Sequence, residues 1–356
     1  APMPNATISA AAASAGTNTT AATTAELRFH LYLNAFAGPG TTFMRELEPG
    51  PLHDGPPEEG WGWIRIDRLR LDDGSDLLPA LEFVQPDDGN PDDRTVIRVP
   101  LPREVPPGDA VELEIAFTAR LPQVVSRTGF AGDFYLAGQW FPKLGVFEGE
   151  RGWSCHQFHA DSEFYADFGS YRLAVTVPSD WVVAASGVEL GREAGGDGRD
   201  TLRFRADRVH DVAWCAAPPE LMEVVEADFE PGRDVPQAWL ARTQARLGLS
   251  TAELELPPMA LRLVLPRAQR ALAPRMLRAA RLAVAWYGLH YGPYPYPQLT
   301  VVSPPPQAAA AGAMEYPTFI TTGADGFHAW PPFSWSSAIE SVTVHEFGHQ
   351  YFQGLL

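Results

Sequence analysis

His345-Glu346-Phe347-Gly348-His349 forms an H-E-x-x-H pattern near the C-terminal end of this sequence. On a helix, residues four apart stand one above the other, so His345 and His349 face the same way and are placed to grip one ion. Imidazole nitrogens suit zinc, whereas Glu346 lies beside the ion rather than on it. Its carboxylate is therefore free to take a proton from a water on the metal, whose acidity zinc brings to a pKa of about 7. Such a site needs a third protein ligand.

The flanking residues support a helix. Pro331-Pro332 blocks an earlier start, and Ser337-Ala338-Ile339-Glu340 has the spacing of a capping box. Ile339, Val342, Val344, Phe347, Tyr351, Phe352 and Leu355 place apolar groups nearly all round it, which predicts a buried helix.

The whole chain has 356 residues, 45% of them hydrophobic and 11% aromatic, and two or three domains are expected. A net charge of −17 argues against nucleic-acid binding and against docking on anionic membranes. Acidic runs such as Asp72-Asp73-Gly74-Ser75-Asp76 read as solvated turns. No apolar run reaches about 18 residues, so no transmembrane segment is expected. Two cysteines, Cys155 and Cys215, exclude a disulfide-dense scaffold but leave a single bridge open.

Residues 1–25 are rich in Ala, Thr, Ser and Gly, and are expected to be a flexible low-complexity segment. Leu27, Phe29, Leu31 and Leu33 then alternate with polar or amphipathic residues, which predicts a half-buried strand. Similar alternation recurs near 63–71, 94–101, 111–118, 171–177, 181–190 and 200–206, so residues 26–217 read as an all-β N-terminal domain. Within it, Cys155-His156-Gln157-Phe158-His159 has the residue types of a second metal site. No further Cys or His lies nearby in sequence to complete one, and aromatic packing is the more natural role. A composition shift near Pro218-Pro219 opens a second domain over 218–356, with strands at 261–265 and 299–302 and a helix over 273–291. Pro274 suits that helix's first turn and Gly292 its end.

Gly312-Ala313-Met314-Glu315-Tyr316 precedes the metal motif, and His345 follows Tyr316 by 29 residues. Its continuation through Pro317 to Ile320 has β character, and Pro317 restricts it to an edge strand. An edge strand beside a metal site can receive an extended peptide by strand addition. Backbone groups at 312–314 would pair with the peptide, and Glu315 would hold its α-ammonium group.

Together the two motifs resemble the aminopeptidase N family of gluzincin zinc metallopeptidases, whose signature is a G-x-M-E-N strand followed about thirty residues later by H-E-x-x-H. Val209-His210-Asp211-Val212-Ala213-Trp214, Tyr294-Pro295-Tyr296, Trp140-Phe141-Pro142-Lys143 and the strand Leu31 to Phe36 extend the resemblance over residues 27 to 356. It implies a multidomain fold, with an N-terminal β-saddle domain followed by the start of an α+β thermolysin-like catalytic domain. It further implies one zinc ion held by His345 and His349, Glu346 as general base, and Glu315, Gly312, Ala313 and Met314 at the substrate. The implied partners are peptides with a free N-terminus. The family's third ligand, a glutamate on the next helix, and its intermediate-stabilising tyrosine both lie beyond Leu356, so the chain alone is expected to be an inactive N-terminal part. Tyr316 stands where the family carries asparagine. A thermolysin-type endopeptidase shares H-E-x-x-H, and a non-catalytic peptide-binding module would keep the cleft without completing the metal site.

Overall fold

Val111, Leu113, Ile115 and Phe117 alternate with acidic or small residues, and β5 (Ala110–Arg120) turns Leu113, Ile115, Phe117 and Ala119 into the interior. The structure is a computed structural model that describes residues 6–47, 60–322 and 337–355. Pro331-Pro332 and Leu356 lie outside the described residues. The chain divides into two compact units, 1–130 with 139–168, and 131–138 with 169–356. No helix among the described residues is long and apolar enough to cross a membrane.

In the first unit, β1 (Thr7–Thr17) pairs antiparallel with β5 along its whole length, from Thr7 opposite Arg120 to Thr17 opposite Ala110. Within the segment expected to be flexible over residues 1–25, Thr7–Thr17 is a paired strand, and residues 1–5 lie outside the described residues. A ladder of backbone hydrogen bonds holds this strand although Ile8 is its one large apolar side chain, and composition does not report such pairing. β3 (Trp63–Leu71) flanks β5 on its other side, giving the order β1-β5-β3. β2 (Thr24–His30) pairs with β4 (Val96–Val105).

The strand expected to run past Leu31 stops at His30 and passes into a 3-10 turn over Tyr32–Phe36. Asn34 fixes that turn. Its buried amide accepts from the Ile64 backbone N–H at 2.9 Å and donates to the Arg94 carbonyl at 2.8 Å.

The second unit carries β6 (Gly169–Pro178), β7 (Val188–Ala194) and β8 (Arg199–Val209) as an antiparallel sheet in the order β6-β8-β7. Val182–Ala185, Trp214–Ala217 and Phe134–Ala137 pair antiparallel in that order. The composition shift near Pro218-Pro219 does not coincide with the compact division, and contacts from residues 187–208 reach the later part of this unit. Arg262 pairs with Glu189 at 2.7 Å, the Tyr296 hydroxyl donates to the Arg208 carbonyl at 2.6 Å, and the Gly187 N–H donates to Thr318 Oγ1 at 2.7 Å.

The remainder is a mixed sheet with helices. Its strands are β9 (Met222–Phe229), β10 (Met259–Pro266), β11 (Gln298–Val302), β12 (Ala313–Met314) and β13 (Phe319–Thr322). They lie in the order β9-β10-β11-β13-β12, with β10, β11 and β13 parallel and the two outer strands antiparallel to their neighbours. Its longer helices among the described residues are α1 (Gln237–Leu247), α2 (Ala273–Tyr291) and α3 (Ala338–His349). Leu261, Leu263 and Leu265 of β10, Leu299 and Val301 of β11, and Met276, Ala280 and Val284 of α2 form one core with Phe347 of α3. Both cysteines are free and buried, so the possible bridge is absent.

Candidate metal and peptide site

α3 brings His345 and His349 together as the four-residue spacing requires. Their Nε2 atoms are 3.1 Å apart and the rings cross at 88°. Two nitrogens on one tetrahedral zinc, each about 2.0–2.1 Å from it, stand about 3.3 Å apart. The pair therefore fits one ion with little movement. His349 Nδ1 lies 3.3 Å from the Phe352 carbonyl. A carbonyl only accepts, so this contact is a hydrogen bond when Nδ1 carries the proton, the arrangement that orients a metal-binding imidazole. Among the described residues no group of three or more His, Cys, Asp or Glu side chains is placed to hold a metal. Two imidazoles supply half of a tetrahedral shell.

The helix is not buried all round. Ile339, Thr343, Glu346 and Phe347 face inward, whereas Ser341, His345 and Phe352 are exposed and Val342 and Val344 half-buried. One open face is what access to the imidazoles requires. Its start also differs from expectation. Ser337 occupies the N-cap position but makes no capping hydrogen bond through its side chain. Glu340 instead pairs with Arg275 of α2, Nε to Oε1 at 2.7 Å and Nη2 to Oε2 at 2.8 Å. That fork-to-fork pair holds the Glu340 carboxyl below its ordinary range, with the Arg275 hydrogen bond as the main cause.

Gly348 is required by a close approach. A β-carbon there would lie 2.4 Å from the Tyr287 hydroxyl oxygen of α2. Tyr287 in turn stacks on Tyr351 at 5.6 Å and meets Phe347 edge-on at 5.9 Å. Glu346, between the histidines, is 5% exposed.

β12 forms the outer strand of the sheet, pairing only through Ala313 with Thr322 and Met314 with Thr321 among the described residues. Gly312, with φ +66°, turns the chain into it, and the Thr321 hydroxyl donates to the Gly312 carbonyl at 3.2 Å. The continuation over Pro317–Ile320 is not the edge strand expected from sequence. The chain turns at Thr318, whose φ is +61°, and returns as β13 in the sheet interior between β11 and β12. Glu315, half-buried, lies at the end of β12 just before that turn, and Tyr316 beside it is 1% exposed.

Sequence reasoning missed the residue that joins the two motifs. Gln350, immediately after His349 and 3% exposed, donates from Nε2 to the carbonyls of Glu315 (3.0 Å) and Tyr316 (3.2 Å). Its Oε1 accepts from the Thr318 N–H (2.8 Å) and the Tyr294 hydroxyl (2.9 Å). The signal available was a polar residue amid an apolar run, with Tyr351-Phe352 directly after it. Its partners were not legible.

In the first unit, His156 and His159 go to carboxylates. His156 Nδ1 is 2.7 Å from Asp87, and His159 lies between Glu46 (2.7 Å) and Asp87 (3.2 Å). They line a cavity of about 440 Å³ with His30 and Tyr32. This cluster, too, is no metal-holding group among the described residues.

No protein-family model matches this sequence, and no curated protein matches it. Solved structures do. An M1 zinc metallopeptidase from Deinococcus radiodurans aligns over 99% of this chain and 61% of its own, with a TM-score of 0.52 and 18% identity. A two-domain M1 zinc metallopeptidase mutant bound to L-arginine aligns over 99% and 62%, with a TM-score of 0.51 and 18% identity. A mutant of the Deinococcus radiodurans enzyme bound to a Tyr-Ser-Ala substrate aligns over 96% and 60%, with a TM-score of 0.50 and 17% identity. This chain thus spans about 61% of the length of the first of these. At such identities the likeness establishes the fold: mostly β-sheet with few helices, multidomain, and matching the N-terminal part of M1 zinc metallopeptidases, the aminopeptidase N family.

Proposed function

We propose that this chain carries the zinc-binding helix and the substrate strand of an aminopeptidase that removes single residues from peptide N-termini. The observation that carries the reading is the His345–His349 pair, with Nε2 atoms 3.1 Å apart, on a helix whose end holds the strand terminating in Glu315. The fold likeness to zinc metallopeptidases supports it.

His345 and His349 would hold the ion. When bound, zinc supplies Lewis-acid polarisation of the scissile carbonyl and acidifies an attacking water. Glu346, buried beside the histidines, would serve as the general base that takes a proton from the attacking water and as the acid that gives it to the departing amine. The outer edge of β12 at Gly312, Ala313 and Met314 pairs with the extended peptide backbone. Glu315 receives the α-ammonium group through a charge-assisted hydrogen bond worth about 1.5–3 kcal/mol.

The test compares an amino-acid amide or short free peptide with its acetylated twin, using the full-length protein. Acetylation removes the charge that Glu315 recognises, so the free substrate is cleaved and the capped one is nearly untouched. Glu315→Ala weakens use of the free substrate by about 10- to 100-fold, in line with the same energy, and shrinks the preference. Equal cleavage of both substrates by the unmutated protein would sink the aminopeptidase reading in favour of an endopeptidase.

A further inference from the structure

The side-chain amide of Gln350 uses its whole hydrogen-bonding capacity. It has two N–H donors and two acceptor lone pairs, and the structure gives it two carbonyls, one amide N–H and one hydroxyl. That set also fixes which way the amide points, because carbonyls can only face Nε2 and the Thr318 N–H can only face Oε1. The Tyr294 phenol is fully buried, which pushes its pKa well above the ordinary value, so it remains a donor.

The segment held this way is the one that carries Glu315. Between β12 and β13 the chain makes a turn that places Thr318, a β-branched residue, at φ +61°, a conformation such residues rarely adopt. A turn of that kind persists only where its surroundings over-determine it. Gln350 is one of those restraints, and Gly187 and Gln298 supply others through Thr318 Oγ1 and the Thr318 carbonyl. Gln350, however, hangs directly from the metal-binding helix, one residue beyond His349. Any shift of that helix end is passed to the Glu315 and Tyr316 carbonyls through hydrogen bonds of 3.0 and 3.2 Å.

We propose that Gln350 is a positioning residue for substrate recognition, setting the height of the Glu315 carboxylate relative to the His345–His349 pair. The residue touches no substrate itself. It acts through the backbone of Glu315 and Tyr316, with the Tyr294 hydroxyl orienting its amide. The inference rests on the reading of Glu315 as the α-ammonium site. It extends that reading by naming what fixes the spacing between ammonium and scissile bond. A small error in that spacing draws the carboxylate away from the α-ammonium group and weakens the hold on a free peptide.

The experiment uses Gln350→Met, which matches the side chain in length but makes none of the four hydrogen bonds, and Tyr294→Phe, which removes one. In the full-length protein, zinc content of Gln350→Met stays at the unmutated level. KM for a free peptide rises about 10-fold, the loss expected for one charge-assisted contact no longer well placed, while kcat changes less. Tyr294→Phe moves KM in the same direction by a smaller factor. The double variant Gln350→Met/Glu315→Ala is no worse than Glu315→Ala alone, because both remove one function. Fully additive losses, loss of zinc from Gln350→Met, or a kcat loss with KM unchanged would each overturn the proposal. A readout that does not depend on activity is hydrogen exchange. The Thr318 amide loses protection in Gln350→Met, and unchanged protection there would overturn the proposal as well. Equal cleavage of capped and free substrates by the unmutated protein would instead reject the α-ammonium site itself, a different result from any of these.

Discussion

The hydroxyl of Tyr287 on α2 lies over the α-carbon of Gly348 on α3, so close that an added β-carbon would stand 2.4 Å from its oxygen. This contact lets the metal-binding helix approach α2 without a side chain between them. In an exposed helix, alanine is favoured over glycine by about 1 kcal/mol. Here the sign reverses. Gly348→Ala destabilises by about 1–3 kcal/mol, the usual cost of overpacking. Tyr287→Phe in the same background recovers part of the loss, since the ring carbon bearing the hydroxyl would still be 2.9 Å away. Denaturation midpoints of the single and double variants check this, and equal losses with and without Tyr287→Phe would exclude the contact as the cause.

The pair between Arg275 and Glu340 ties α2 to the start of α3 where no capping bond from Ser337 exists. Both side chains are about a third exposed, so the coupling measured by a double-mutant cycle with Arg275→Met and Glu340→Gln is about 0.5–1 kcal/mol. Because Arg275 lowers the Glu340 pKa, this stabilisation is present above the unfolded value near 4.5 and is lost as pH falls through the folded one. A cycle that gives the same coupling at pH 7 and pH 3 would contradict it.

His30 is the strongest acid liability in the first unit. Its ring is 3% exposed and stacks on Tyr32 at 4.6 Å. Burial, and then the charge of Lys143, push its pKa down from 6.5 to about 3. The folded value lies below the unfolded one, so the folded state keeps its full stability above about 6.5 and loses it as pH falls towards 3. A difference of one pKa unit is about 1.4 kcal/mol, which gives a loss of about 3 kcal/mol at pH 4. His30→Phe keeps the stacking shape without a titrating group, and its stability falls less between pH 7.5 and pH 4. Parallel pH profiles for the two proteins would refute this.

The metal site makes opposite predictions for neighbouring residues. In the full-length protein, Glu346→Gln retains zinc, because Glu346 is not a ligand, yet loses about 10² to 10⁴ in rate with the general base gone. His345→Ala loses the metal. Metal analysis after dialysis, alongside turnover, separates the two. Near-normal turnover by zinc-bound Glu346→Gln would rule out the assigned role of Glu346.

Local patterns are legible in the sequence where punctuation and apolar period agree. The helix over 273–291 coincides with α2, because Pro274 and Gly292 punctuate it and its apolar period is regular. The four-residue spacing places His345 and His349 on one face of a helix, and their rotamers bring the two Nε2 atoms to 3.1 Å. The strands near 63–71 and 111–118 came from period-two alternation.

Relations between elements, by contrast, were set by tertiary packing. Thr7–Thr17 became a strand because β5 offered a partner for its backbone, a fact with no trace in its small side chains. Glu340 left its expected capping role because Arg275, 65 residues earlier, offered a stronger partner. Gln350 could be seen as a polar residue among apolar ones, but not as the link between His349 and Glu315. A hydrogen bond across 34 or 35 residues is set by how the sheet turns at Thr318, and that turn is fixed by contacts from distant parts of the same unit. Sequence spacing dictates geometry only within a helix or strand. Between them, the packing of the core sets the distances.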